Sequence, residues 1–188
     1  SLPAPHLRCR SAAEYGDSFV RLYSDCVADA LRCNGGIGIA MSSGLDSATV
    51  GALAADRLGA TGRRLMTYTY VPSLPARDSI PGHVTDEREA VRAIADMHPA
   101  MSVHFLDNRG RNCLSELDDT LRVMEFPFKA YVNMPNLREI YQSAADDGCK
   151  VLLTGQCGNS TVSHGYIDDV LYDLYSTGHP FRFLHDLN

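Results

Sequence analysis

The stretch Ile37-Gly38-Ile39-Ala40-Met41-Ser42-Ser43-Gly44-Leu45-Asp46-Ser47 decides the fold. Its first five residues are small or apolar and read as a buried strand over 37–41. Ser-Ser-Gly follows as a tight turn, and Asp46-Ser47 with Ala48-Thr49-Val50-Gly51-Ala52-Leu53 reads as the start of a helix. A strand passing through such a turn into a helix leaves backbone N–H groups unpartnered at the helix start. Those donors and the helix dipole together favour phosphate. Asp46 is the informative residue, because a carboxylate is the wrong charge beside a phosphate. Two unit charges about 4 Å apart repel by roughly 4 kcal/mol at an effective dielectric of 20, against about 0.3–1 kcal/mol returned by a helix terminus. A polyphosphate held here therefore calls for a divalent cation at Asp46, with Mg²⁺ the natural choice. The bland alternative is that Asp46 and Ser47 merely cap the helix.

Outward from this loop the pattern alternates. An amphipathic helix is expected from about Ala12 to Cys33, with Tyr15, Phe19, Leu22, Cys26 and Ala30 at three- and four-residue steps, stopped by Asn34-Gly35-Gly36. After the 37–41 strand comes a helix over about 47–58, ended by Gly59, then a strand over 65–71 closed by Pro72. Residues 72–84 read as a long loop, and Thr85 as the cap of a helix to Met97 with Asp86 and Glu87 in its first turn. A strand at 102–106, a helix near 113–124, a helix from Pro135 to Asp147 and a strand at 150–154 complete the series. This alternation predicts an α/β fold, a doubly wound parallel sheet with helices on both faces. Ligands in such sheets sit beyond the carboxyl ends of strands, where the strand order reverses. The loops 42–47 and 155–165 both leave such ends, so one crevice could join them. The second loop, Gly155-Gln156-Cys157-Gly158-Asn159-Ser160, combines glycines with uncharged oxygen donors.

Composition narrows the function. The 188 residues suit a single domain over 1–188, with 45% hydrophobic and 21% charged residues typical of a globular core. The net charge is −6 and the seventeen Lys and Arg residues form no basic stripe, which argues against nucleic acid as partner. No apolar run approaches the ~18 residues of a membrane span and no secretory pattern opens the chain, so a cytoplasmic location is expected. The six cysteines are widely spaced without a Cys-x-x-Cys pair, and reduced thiols are the expectation. His98, His104, His164 and His179 lack metal-ligand spacing and read as surface or satisfied core residues.

Two phosphate motifs are excluded. A Walker loop needs Gly-Lys, which the chain lacks, and Gly36-Ile37-Gly38 with Met41 at the third position fails as a dinucleotide fingerprint. A hydrolase elbow built on Ser42 would leave Asp46-Ser47 without a role. What remains, Ser-x-Gly-x-Asp-Ser after a buried strand, resembles the ATP pyrophosphatases with a pyrophosphate-binding (PP) loop. Within that group the chain is most similar to the synthetase domain of asparagine synthetases and β-lactam synthetases. Three ordered segments carry the resemblance: Met41 to Ser47, Glu125-Phe126-Pro127-Phe128 with Met134-Pro135-Asn136-Leu137, and Lys150 to Asn159.

The resemblance implies a Rossmann-like PP-loop ATPase fold and an AMP-forming amide ligase. In it a substrate carboxylate attacks the α-phosphate of ATP, and an amine or ammonia takes the acyl group. Residues Ser42, Ser43, Gly44 and Ser47 would cradle the phosphates, Asp46 would hold Mg²⁺, and Met41, Tyr70, Gly155 and Gln156 would line the rest of the ATP site. Where the family has a second metal-binding acid this chain has Asn159, a neutral oxygen, and Gln156 and Ser160 stand at the other acidic positions. The β-lactam synthetases also lack Glu at the position of Gln156, so its loss speaks against aspartate as substrate more than against adenylation. The expected partners are ATP and a small-molecule or peptide carboxylate. The family's N-terminal glutaminase domain and the later segment bearing its catalytic lysine have no counterpart in these residues, so the chain reads as a partial or divergent domain. The rival reading is a non-catalytic nucleotide-binding or interaction domain that has lost its second-loop acids. A tRNA-thiolating enzyme of the same fold is disfavoured, since paired cysteines and a basic surface are absent.

Overall fold

The computed structural model describes residues 8–73, 86–126, 130–158, 162, 172, 175 and 176. Its order is α1 (Ala12–Ala30), β1 (Gly36–Ala40), α2 (Leu45–Gly59), β2 (Leu65–Tyr70), α3 (Arg88–Met97), β3 (Met101–Leu106), α4 (Leu117–Met124), α5 (Met134–Asp146) and β4 (Cys149–Thr154). The four strands form one parallel sheet in the order β3-β2-β1-β4. The chain steps outward from β1 to β2 and β3, then returns to add β4 on the other side of β1. Strand order therefore reverses between β1 and β4, where the fold favours a ligand crevice.

The period of two along each strand sorts side chains between two layers. Ile37, Ile39, Leu65, Met101 and Leu153 face Val27 and Leu31 of the α1 segment, Ala54, Ala55 and Leu58 of α2 and Val91 of α3. Tyr68 and Leu106 face Ile140 and Ala144 of α5, with Ala40 and Leu152 packed alongside. Ile37 and Ile39 on one face are 1% and 0% exposed, and Gly38 between them on the other is buried too, so both faces of β1 are covered. A parallel strand buried in this way needs the near-continuous apolar run that 37–41 supplies. The doubly wound expectation is met.

Several boundaries differ from the local reading. Helix α2 begins at Leu45, two residues early, with Gly44 at its N-cap and no side-chain cap. Asp46 and Ser47 thus lie inside the first turn, and neither caps the helix. Gly36 opens β1 instead of stopping α1, which ends at Ala30. Helix α4 starts at Leu117, not near 113. The Asn112 side chain caps a turn there, accepting from the Leu114 and Ser115 amides, both at 3.0 Å, but the Leu117 amide then reaches only the Leu114 carbonyl at 3.4 Å, which interrupts the helical ladder. Asp86 and Glu87 precede α3, with Asp86 accepting from the Arg88 amide at 3.0 Å. Thr85 lies outside the described residues. No disulfide links any of the six cysteines.

Candidate functional site

Crossing from β1 to α2, the chain makes a loop that is closed by its own hydroxyls. The Ser42 amide donates to Ser47 Oγ at 3.0 Å, Ser47 Oγ donates to the Ser42 carbonyl at 3.1 Å, and the Gly44 amide donates to Ser42 Oγ at 3.2 Å. The Ser43 amide reaches across 44 residues to donate to Glu87 Oε2 at 2.8 Å. The Leu45 and Asp46 amides, at the open end of α2, have no partner among the described residues.

The loop after β4 closes on this turn because of two glycines. A Cβ on Gly155 would overlap the Ser47 amide nitrogen and sit 2.7 Å from Ser47 Cα and 2.9 Å from the Asp46 carbonyl carbon. A Cβ on Gly158 would overlap the Asp46 carboxylate itself. These close approaches need residues without side chains. They bring the two loops together as the sequence expected. Between them Asp46 Oδ1 is buried and without a hydrogen-bond partner. Nearby, burial raises the Tyr23 phenol above its ordinary pKa and the Asp46 charge raises it further.

A crevice of about 1060 Å³ opens beside these loops at the carboxyl ends of the strands. Of the residues anticipated for the site, Met41, Ser42, Gly44, Asp46, Ser47, Tyr70, Gly155 and Gln156 line it. Ser43 is absent from its lining, and its amide is committed to Glu87. Asn159 lies outside the described residues. The sequence reading missed Glu87 and the wall built by Leu137, Ile140 and Tyr141 of α5, together with Tyr68 of β2. The wall has its own support, since buried Glu139 of α5 accepts from the Asn108 amide at 2.6 Å and ties α5 to the turn after β3. The three- and four-residue spacing of 137, 140 and 141 marks a helix face, yet only packing reveals what it faces.

The electrostatics are one-sided. Asp46 and Glu87 are both in the lining, and no Lys, Arg or His is among the described lining residues. Among the described lining residues an anionic ligand meets no protein cation, and a bound metal ion would offset the charge. Mg²⁺ is commonly bound through one or two carboxylates together with substrate phosphates, and the unpartnered Asp46 oxygen fits that role. No cluster of three or more His, Cys, Asp or Glu side chains suited to a metal exists among the described residues, so phosphate oxygens and water would have to complete the shell.

A doubly wound α/β domain with a Ser/Gly turn at its switch point belongs to the class of folds that gather ligands beyond the carboxyl ends of their strands. The sequence model of the asparagine synthase family matches residues 19–173, and the chain belongs to that family. The family is one of ATP-dependent amidation. No curated protein matches the chain. Among the described residues no helix is long and apolar enough to cross a membrane.

Proposed function

We propose that this chain is the nucleotide-binding part of an AMP-forming amide ligase that adenylates a small-molecule or peptide carboxylate for attack by an amine or ammonia. The observation that carries the reading is the closure of Gly155 and Gly158 on the first turn of α2, which leaves an orphaned Asp46 carboxylate oxygen at the switch point. In this reading the Leu45 and Asp46 amides and the Ser42 and Ser47 hydroxyls take phosphate oxygens. Met41, Tyr70 and Gly155 border the adenosine, and the apolar wall of α5 excludes water from the far side. Bound at Asp46, and at Asn159 if that side chain reaches it, Mg²⁺ supplies charge neutralisation for the leaving pyrophosphate. Preorganised donors aimed at developing charge then supply the chain's own catalytic contribution.

A second reading, a nucleotide-binding or interaction domain without turnover, is favoured by Gln156, which lines the crevice but cannot exchange a proton. Calorimetric titration with ATP, with and without Mg²⁺, on wild type and Asp46→Ala tests the first reading. Metal-dependent binding lost in the variant is expected. A cooperatively folded wild type that binds no ATP in Mg²⁺ would overturn it, and binding without pyrophosphate release by the full-length protein on any carboxylate would favour the second.

A further inference from the structure

The phosphate turn is already occupied. Three of its amides are engaged, and the three acceptors differ in kind. Ser42 and Ser47 offer hydroxyls, to Gly44 and Ser42 respectively, while Glu87 offers a carboxylate to Ser43. A hydroxyl that accepts from an amide keeps a proton it can redirect: Ser47 Oγ, which donates to the Ser42 carbonyl, and Ser42 Oγ, 2.9 Å from Ser47 Oγ, can each turn that proton to a phosphate oxygen without leaving the loop. An ionised carboxylate has acceptors only, and cannot share the Ser43 amide with a phosphate.

We propose that Glu87 is a built-in anion that competes with nucleotide phosphate for the Ser42–Gly44 turn and sets the affinity of the site. The inference rests on the nucleotide reading above and deepens it. Asp46 packs against Gly158, after β4, whereas Glu87 arrives from the opposite side of β1, after β2 and ahead of α3. Phosphate entering the turn must displace the Glu87 carboxylate from Ser43 or bind beside a like charge. A cation-complexed polyphosphate carries less net charge and suffers less repulsion, so Glu87 makes the turn select metal-complexed over free phosphate. Displacing Glu87 also frees the N-terminus of α3 from the turn, so nucleotide entry loosens a tie that the empty site keeps.

The test is Glu87→Gln, whose side-chain carbonyl can keep the Ser43 hydrogen bond without the charge, titrated calorimetrically with MgATP and with metal-free pyrophosphate. Asp86→Asn, which removes the same charge one residue away without touching the turn, is the control. MgATP affinity is expected to rise about tenfold in Glu87→Gln, because screening leaves only part of the repulsion between adjacent like charges. Metal-free pyrophosphate affinity is expected to rise more, and Asp86→Asn to change either by less than about twofold. Unchanged or weaker binding in a Glu87→Gln variant that melts as cooperatively as wild type would overturn the proposal while leaving the nucleotide reading intact. If neither wild type nor variant binds ATP or pyrophosphate, the nucleotide reading falls and this proposal falls with it.

Discussion

Replacing Gly155 by alanine isolates the contact that joins the two loops. The added Cβ would sit 2.7 Å from Ser47 Cα and 2.9 Å from the Asp46 carbonyl carbon, and would overlap the Ser47 amide nitrogen outright. These are backbone atoms in the first turn of a fifteen-residue helix, so no side-chain rotation can make room. Restoring an ordinary separation of 3.4 Å from Ser47 Cα alone requires the loops to part by about 0.7 Å. Overpacking of this kind costs about 1–3 kcal/mol. At roughly 2–4 °C per kcal/mol for a domain of this size, Tm should fall by about 2–12 °C. The displacement carries Asp46 and the open end of α2 away from Gln156, so ATP affinity in Mg²⁺ should drop by more than tenfold, about 1.4 kcal/mol. Gly62→Ala supplies the comparison, because Gly62 has a φ of 71° with open space around it. It should cost about 1 kcal/mol for the left-handed backbone and leave ATP affinity alone. Thermal melts and calorimetry on both variants check the argument. A Gly155→Ala protein with wild-type Tm and wild-type affinity would show that the loops do not pack as described.

Two further outcomes follow from the sheet's other face. Gly38 lies in β1 where a Cβ would meet Tyr68 Cε2 at 2.8 Å, Leu152 Cδ1 at 3.2 Å and Cys149 Sγ at 3.3 Å, so Gly38→Ala should lower the urea midpoint by the equivalent of about 1–3 kcal/mol with m unchanged. Burial raises the Tyr68 phenol well above its ordinary pKa, and its hydrogen bond to Asp147 Oδ2 at 2.7 Å raises it further. The folded chain therefore holds this proton when the unfolded chain has lost it. Tyr68 thus contributes stability that is present below pH ~10 and declines as pH rises above it. In Tyr68→Phe, urea melts should show a shallower loss of stability above pH 10 than wild type, and an equal slope would refute the assignment.

Much of the site could be read one residue at a time. The apolar run 37–41, the Ser/Gly turn and the helix after it are local signals, and the family's ordered segments lie in the linear chain. Sequence alone therefore determined the parallel α/β architecture and the place of the Ser/Gly turn, with Asp46 in it, at the carboxyl end of β1. It misjudged where α2 begins, because Asp and Ser are good caps in isolation, whereas here Ser47 turns back to hold Ser42. It also placed the start of α4 early, because Asn112 does cap a turn at 113, and only the long Leu117-to-Leu114 bond that breaks the ladder delays the helix.

Other features had no local signature. Glu87 looks like an ordinary acid at a helix start, and only the alignment of β1 beside β2 brings it to Ser43. Gly155 and Gly158 advertise loop freedom, yet what they accommodate is the backbone and carboxylate of α2. The wall of α5 depends on which sheet face that helix covers. Strand order decided the first two, and the hand of the crossover into β4 the third. Periodicity along the chain records which residues turn inward, because burial is imposed on each element separately. Which elements become neighbours depends on hydrogen bonding between strands far apart in sequence, and that pairing placed β4 beside β1 and the crevice between them.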